Sequence, residues 1–232
     1  MEDYSQNGLQ VENSGQGKKA GFTVDASLAA FQRAAEKGAD LLVVHHGLFW
    51  DKPVILTGSM YNRIKLLLEA DIALYAAHLP LDKHDTLGNN ARVQKIMGWE
   101  VSGDFGEYKG VEIGKKVHFG TPVSIGHITR EISEKLNCEP LVWNFGKDKV
   151  KNAGYVSGGA IGLLQQAIDE GLDLFITGEP KHECYWAAKE AGINVIFAGH
   201  YATETLGVKA IQELLQKEFN LECFFIDLPT GL

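Results

Sequence analysis

Short aliphatic and β-branched runs, each closed by Gly or His and followed by a stretch of helical spacing, recur along the chain. Residues 39–44 (Ala-Asp-Leu-Leu-Val-Val) read as a buried strand. They follow an amphipathic stretch, 27–37, that Gly38 closes as a helix stop. A helix over 59–69 leads to a strand over 72–77, and a helix over 89–97 stops at Gly98. The stretch 99–120 is rich in Gly and charge and reads as a hairpin or crossover. Beyond it come a helix over 122–136 and strands over 140–143 and 152–156. A helix over 161–170 and strands over 172–177 and 193–198 follow, then a last helix over 203–219 and a strand over 222–227. Strands alternating with helices predict an α/β protein. The expected architecture is two loosely similar α/β domains, 1–100 and 101–232, with mixed, largely parallel sheets.

The chain has 232 residues, 45% of them hydrophobic, which is enough core for one large domain or two small ones and excludes a mainly disordered state. A net charge of −8 argues against a general nucleic-acid groove, which needs a basic stripe. Cys138, Cys184 and Cys223 are scattered and form no paired motif, as expected in a reducing compartment. No secretory signal is visible, and no apolar run approaches the ~18 residues that cross a bilayer. A soluble cytoplasmic protein is the expectation.

In open α/β sheets ligands collect at the carboxyl ends of strands. His45 and His46 come directly after the strand 39–44. His78 comes directly after 72–77 with Asp82 four residues on, and His200 comes after 193–198 with Glu204 four residues on. No core-packing argument explains imidazoles at three such positions. Imidazole and carboxylate together suit Zn, Fe, Mn, Co or Ni, and no thiolate is placed for a structural zinc site. Six candidates exceed the needs of one ion and predict two divalent transition-metal ions, bridged by a carboxylate for which Glu204 is the choice.

Asp-Tyr-Ser-Gln-Asn-Gly-Leu-Gln-Val-Glu (3–12), Val-Val-His-His-Gly-Leu-Phe-Trp (43–50) and Ala-His-Leu-Pro-Leu-Asp-Lys-His-Asp-Thr-Leu-Gly-Asn-Asn (77–90) form an ordered set. Phe-Ile-Thr-Gly-Glu (175–179) and Ala-Gly-His-Tyr-Ala-Thr-Glu-Thr-Leu-Gly-Val (198–208) complete it. With these motifs the chain resembles, over essentially its whole length, the Nif-three-like, YbgI-type family, often labelled GTP cyclohydrolase 1 type 2 homologues. The resemblance implies a dinuclear metal site in the cleft between two α/β domains and a homo-oligomer that is a toroidal hexamer. It assigns metal ligation to His45, His46, Asp82, His200 and Glu204, and leaves His78 as a sixth ligand or a supporting residue. Family members usually carry a helix before the first motif, which here starts at residue 3.

Glu179 and His182 follow the strand 172–177 and are candidates for a supporting or proton-transfer role. Ser-Gly-Gly-Ala-Ile-Gly (157–162) reads as a tight turn rather than an anion cradle, because it lacks the full dinucleotide fingerprint. Phe49 and Trp50 read as core packing or as walls of a pocket, and His84, His118 and His127 carry no assigned chemistry. Two functions follow. One is metal-dependent hydrolysis of a nucleotide or other small molecule, with ring opening of GTP as what the family label implies. The other is non-catalytic metal handling or regulation.

Overall fold

The structure is a computed structural model and describes residues 1–15 and 17–232. Its contacts divide the chain into unit 1, Met1–Leu81 with Gly207–Leu228, and unit 2, Asp82–Leu206 with Pro229–Leu232. The sequence reading places a single division at residue 100. Here the chain passes between units inside two helices, Leu79–Lys83 and His200–Phe219, so Asp82 belongs to unit 2.

Unit 1 is built on β1 (Gly8–Val11), β2 (Lys19–Asp25), α1 (Leu28–Glu36), β3 (Leu41–His46), α2 (Gly58–Glu69) and β4 (Ala73–Ala76), and on β11 (Glu222–Phe225) from the far end of the chain. The sheet order is β1-β4-β3-β2-β11. β1 lies antiparallel on β4 and the other pairings are parallel. A strand between parallel neighbours is covered on both faces, which is why β3 is a continuous apolar run before its histidines. Leu42 and Val44 face Ala30, Phe31 and Ala34 of α1 and Leu67 of α2. Val43 faces the other way with Ala20 and Phe22, under Ile211 and Leu215 of the last helix. Each fully buried side chain of this size contributes about 1.5–3 kcal/mol. That cover draws Gly207–Leu228 back to unit 1. The Ser27 hydroxyl accepts from Ala30 N at the start of α1, and Gly38, at φ +67°, ends it.

Unit 2 holds α3 (Leu79–Lys83) from Asp82 on, α4 (Asn89–Met97), β5 (Glu100–Tyr108), β6 (Val111–Ser124), α5 (Ile125–Leu136), β7 (Leu141–Trp143) and β8 (Lys149–Tyr155). A 3-10 turn (Ala160–Leu163), α6 (Leu164–Asp169), β9 (Leu174–Thr177), α7 (Tyr185–Ala191), β10 (Asn194–Phe197) and the first residues of α8 (His200–Phe219) complete it. The sheet order is β5-β6-β8-β9-β10-β7, with β8, β9 and β10 parallel and the remaining pairings antiparallel. The Gly-rich middle is a hairpin: Lys109 and Gly110, at φ 51° and 78°, supply the two positive-φ positions of a two-residue turn. β6 runs to Ser124, where the sequence predicts a helix from 122. The Ser124 hydroxyl accepts from His127 N and sets the start of α5 three residues later. Among the described residues no helix is long and apolar enough to cross a membrane.

Candidate metal centre

In unit 1, β3 carries His45 and His46 at its carboxyl end, and His78 follows β4, the adjacent parallel strand. His45 is fully buried, and its Nδ1–H donates to Ala77 O at 2.8 Å. A carbonyl only accepts, so the tautomer is fixed and the lone pair sits on Nε2. His46 Nδ1 donates to Asp25 Oδ1 at 2.9 Å, across the β2–β3 pair that sets Asp25 opposite His46. His78 Nδ1 donates to Asp3 Oδ1 at 2.8 Å. Asp3 is fixed in turn, accepting from Ser5 N, Asn7 Nδ2 and Leu79 N. Burial alone would raise the Asp3 carboxyl. The hydrogen bonds from Asn7, Ser5 and His78 outweigh it and hold the pKa below the ordinary value. One ligand nitrogen from each of His45, His46 and His78 lies within 4.8 Å of the other two. Three imidazole nitrogens brought this close could hold a metal ion.

In unit 2, His200 opens α8 and Glu204 is one turn on. His200 Nε2 donates to Glu204 Oε2 at 3.1 Å and Nδ1 donates to Glu179 Oε2 at 3.0 Å. Burial alone would lower the His200 pKa. The two carboxylates overcome that and push it up to about 9. Glu204 is 3% and Asp82 5% exposed, and their ligand oxygens lie within 4.8 Å of each other. Asp82 Oδ1 accepts from Asn89 Nδ2 at 2.8 Å and from Ser157 Oγ at 3.0 Å. The buried Tyr155 hydroxyl is pushed well above its ordinary pKa by desolvation and by the charges of Asp82 and Glu204. Two buried carboxylates so close repel by about 3 kcal/mol at an effective dielectric of ~20, and they too call for a cation.

By unit, the sequence-predicted ligands are His45, His46 and His78 in unit 1 and Asp82, His200 and Glu204 in unit 2, residue types that could hold a metal ion. All four imidazoles follow one rule: Nδ1 is engaged by an oxygen acceptor, and Nε2 is the nitrogen available to ligate once His200 gives up its second proton. Glu179 is therefore the orienting partner of His200. His182 is exposed on the 3-10 turn after β9 and belongs to no three-residue ligand group among the described residues. Asp3, Asp25, Asn89 and Ser157 escaped the sequence reading.

The Gly-rich turn after β8 is a steric device. A Cβ on Gly158, at φ +67°, would collide with Glu204 Oε1, and one on Gly178 would lie 2.7 Å from His200 Cα. Gly158→Ala should cost about 1–3 kcal/mol in urea unfolding, and Gly162→Ala, whose Cβ meets nothing within 4 Å, should cost far less. Asp25→Ala should weaken zinc binding about 10–100-fold in a chelator competition, by releasing the His46 ring. In chelator-treated protein the His200 contribution to stability is fully present below pH 6.5 and is lost as pH rises through 9, because the folded pKa is the higher one. Urea midpoints at pH 6, 7.5 and 9.5, compared with those of His200→Ala, check this.

The chain is similar to a GTP cyclohydrolase 1 type 2 homolog of Archaeoglobus fulgidus, 46% identical over 231 residues that span 100% of this chain and 92% of the relative. It is also similar to the crystal structure of a Thermus thermophilus protein, with a TM-score of 0.90 and 41% identity over 99% of this chain and 91% of that one. The solved protein ybgI, described as of unknown function, gives a TM-score of 0.93 and 35% identity over 100% of this chain and 93% of that one. The sequence profile of Duf34/NIF3 (NGG1p interacting factor 3) matches residues 1–230, so that both units fall inside the resemblance. This chain belongs to the Duf34/NIF3 family.

Proposed function

We propose that the protein holds two divalent transition-metal ions per chain and is a metal-dependent hydrolase. The ligands in this reading are His45, His46, Asp82, His200 and Glu204, with Glu204 bridging and His78 as the sixth. The observation that carries it is the imidazole triad of unit 1, three Nδ1 atoms held by oxygen acceptors and three ligand nitrogens within 4.8 Å. The buried carboxylate pair of unit 2 is the complementary half. α3 follows His78 and carries Asp82, and α8 carries His200 and Glu204.

Such a pair of cations, when bound, would lower the pKa of water toward neutrality and would polarise a carbonyl, ring carbon or phosphoryl group. The protein's own part is to orient four imidazoles through Ala77 O, Asp25, Asp3 and Glu179. Asn89 and Ser157 aim the Asp82 carboxylate, and Gly158 keeps bulk away from Glu204. The name of the Archaeoglobus relative makes GTP the first substrate to try.

The test has two parts. Elemental analysis of zinc-, manganese- or iron-reconstituted protein should give close to two ions per chain, and one or fewer at saturation would sink the paired centre. Formate release from GTP above a Glu204→Ala control supports the cyclohydrolase reading. Two ions without turnover leaves a metal-handling protein. The toroidal hexamer and a cytoplasmic location belong to the same reading, and sedimentation equilibrium of the native protein tests the first.

A further inference from the structure

Beside His46, unit 1 has a cavity of about 460 Å³ lined by Asp25, Ser27, His46, Trp50, Ser59 and Arg63. We propose that it is the substrate subsite, and that it selects a small organic anion bearing a flat unsaturated ring. Arg63 would take the acidic group, a carboxylate or phosphate, and Trp50 the ring. The name of substrate subsite rests on the hydrolase reading above, in which His46 is a metal ligand, whereas the binding of such an anion stands on the cavity alone.

The volume lies in the range of small-molecule sites, roughly 300–1,000 Å³. Arg63 is the one cation of the lining. Its guanidinium meets Ala26 O at 3.4 Å and makes no ion pair among the described residues. A half-buried guanidinium fork without a carboxylate is suited to clamp a planar oxyanion through two N–H groups. The one acid of the lining, Asp25, accepts from His46 Nδ1 and forms no ion pair with Arg63 among the described residues.

Trp50 is 36% exposed, and its indole N–H donates to Gly47 O at 3.1 Å. The polar end of the ring is therefore satisfied, which leaves the apolar surface to face the cavity. Its ring stands edge-on to His78, with centroids 5.1 Å apart, and is held rigidly beside the imidazole triad. Phe49, its neighbour, packs against the unit 1 core instead. A rigid aromatic wall next to an ion-binding triad, with a cation within the same cavity, selects for a ring and a charge together.

Isothermal titration of the full chain, zinc-loaded and chelator-treated, with phenylphosphonate, benzoate and cyclohexanecarboxylate tests this. Saturable binding of at least one aromatic acid is expected in both states, and the tighter of the two identifies phosphate or carboxylate as the preferred group. Arg63→Met should weaken it about tenfold or more, with Arg63→Lys between. Trp50→Leu should weaken the aromatic acids about tenfold and leave cyclohexanecarboxylate unchanged. No binding by the wild type in either state, or equal affinity in Arg63→Met, overturns the subsite. An unchanged Trp50→Leu overturns the selection for a ring. Zinc content measured in the same samples judges the metal reading separately.

Discussion

Glu204→Ala should bind no more than one zinc ion per chain where the wild type is expected to bind two, and its turnover of any substrate found should fall by about 10² or more. Glu204 is the carboxylate that both reaches His200 and lies beside Asp82, so its loss removes a neighbour of every ligand in unit 2. The same variant carries an internal control. Without Glu204 the His200 imidazole loses the larger of the two carboxylate effects that raise its pKa, which should fall from about 9 toward 6.5, readable by proton NMR of chelator-treated protein. Full metal content in Glu204→Ala would show that the carboxylate serves only the histidine.

Asp82→Asn separates ligation from structure by sign. Asparagine keeps an Oδ1 to accept from Asn89 and Ser157 and removes one of two buried charges lying within 4.8 Å. Chelator-treated Asp82→Asn should therefore be more stable than the wild type, by about 1–2 kcal/mol in urea unfolding, while zinc affinity falls by about 10² or more. A carboxylate kept for the fold alone would give destabilisation with no change in metal binding.

The candidate histidines are legible because they stand at or just after the ends of parallel strands. The apolar runs before His45, His78 and His200 are continuous, and the polar residue that breaks each run marks a strand end. The same rule applied to Lys-Ala-Gly-Phe-Thr-Val-Asp (19–25) points to Asp25, but β2 begins after a polar segment and its run is shortened by Gly21 and Thr23. Asp3 was beyond reach, since its partner His78 lies far along the chain and no periodicity links them. Gly158 shows a second limit. Its positive φ could be guessed from a Gly-Gly turn, but the Glu204 side chain it accommodates arrives from a different helix. The crossings between units were hidden for a related reason: α8 is one uninterrupted helix, and nothing in its spacing announces that Ile211 and Leu215 serve a different sheet from the one beside His200.

That return of the chain sets an order of events during synthesis. Everything unit 2 needs, apart from its last four residues, has left the ribosome by Leu206, whereas unit 1 waits for the final segment. Until Gly207–Phe225 emerges, Ala20, Phe22 and Val43 stay bare on one face and β2 has an unpaired edge. The first part of the polypeptide to be made is thus the last to be finished, and it is the nascent N-terminal sheet, with its open edge, that most needs shielding from other chains.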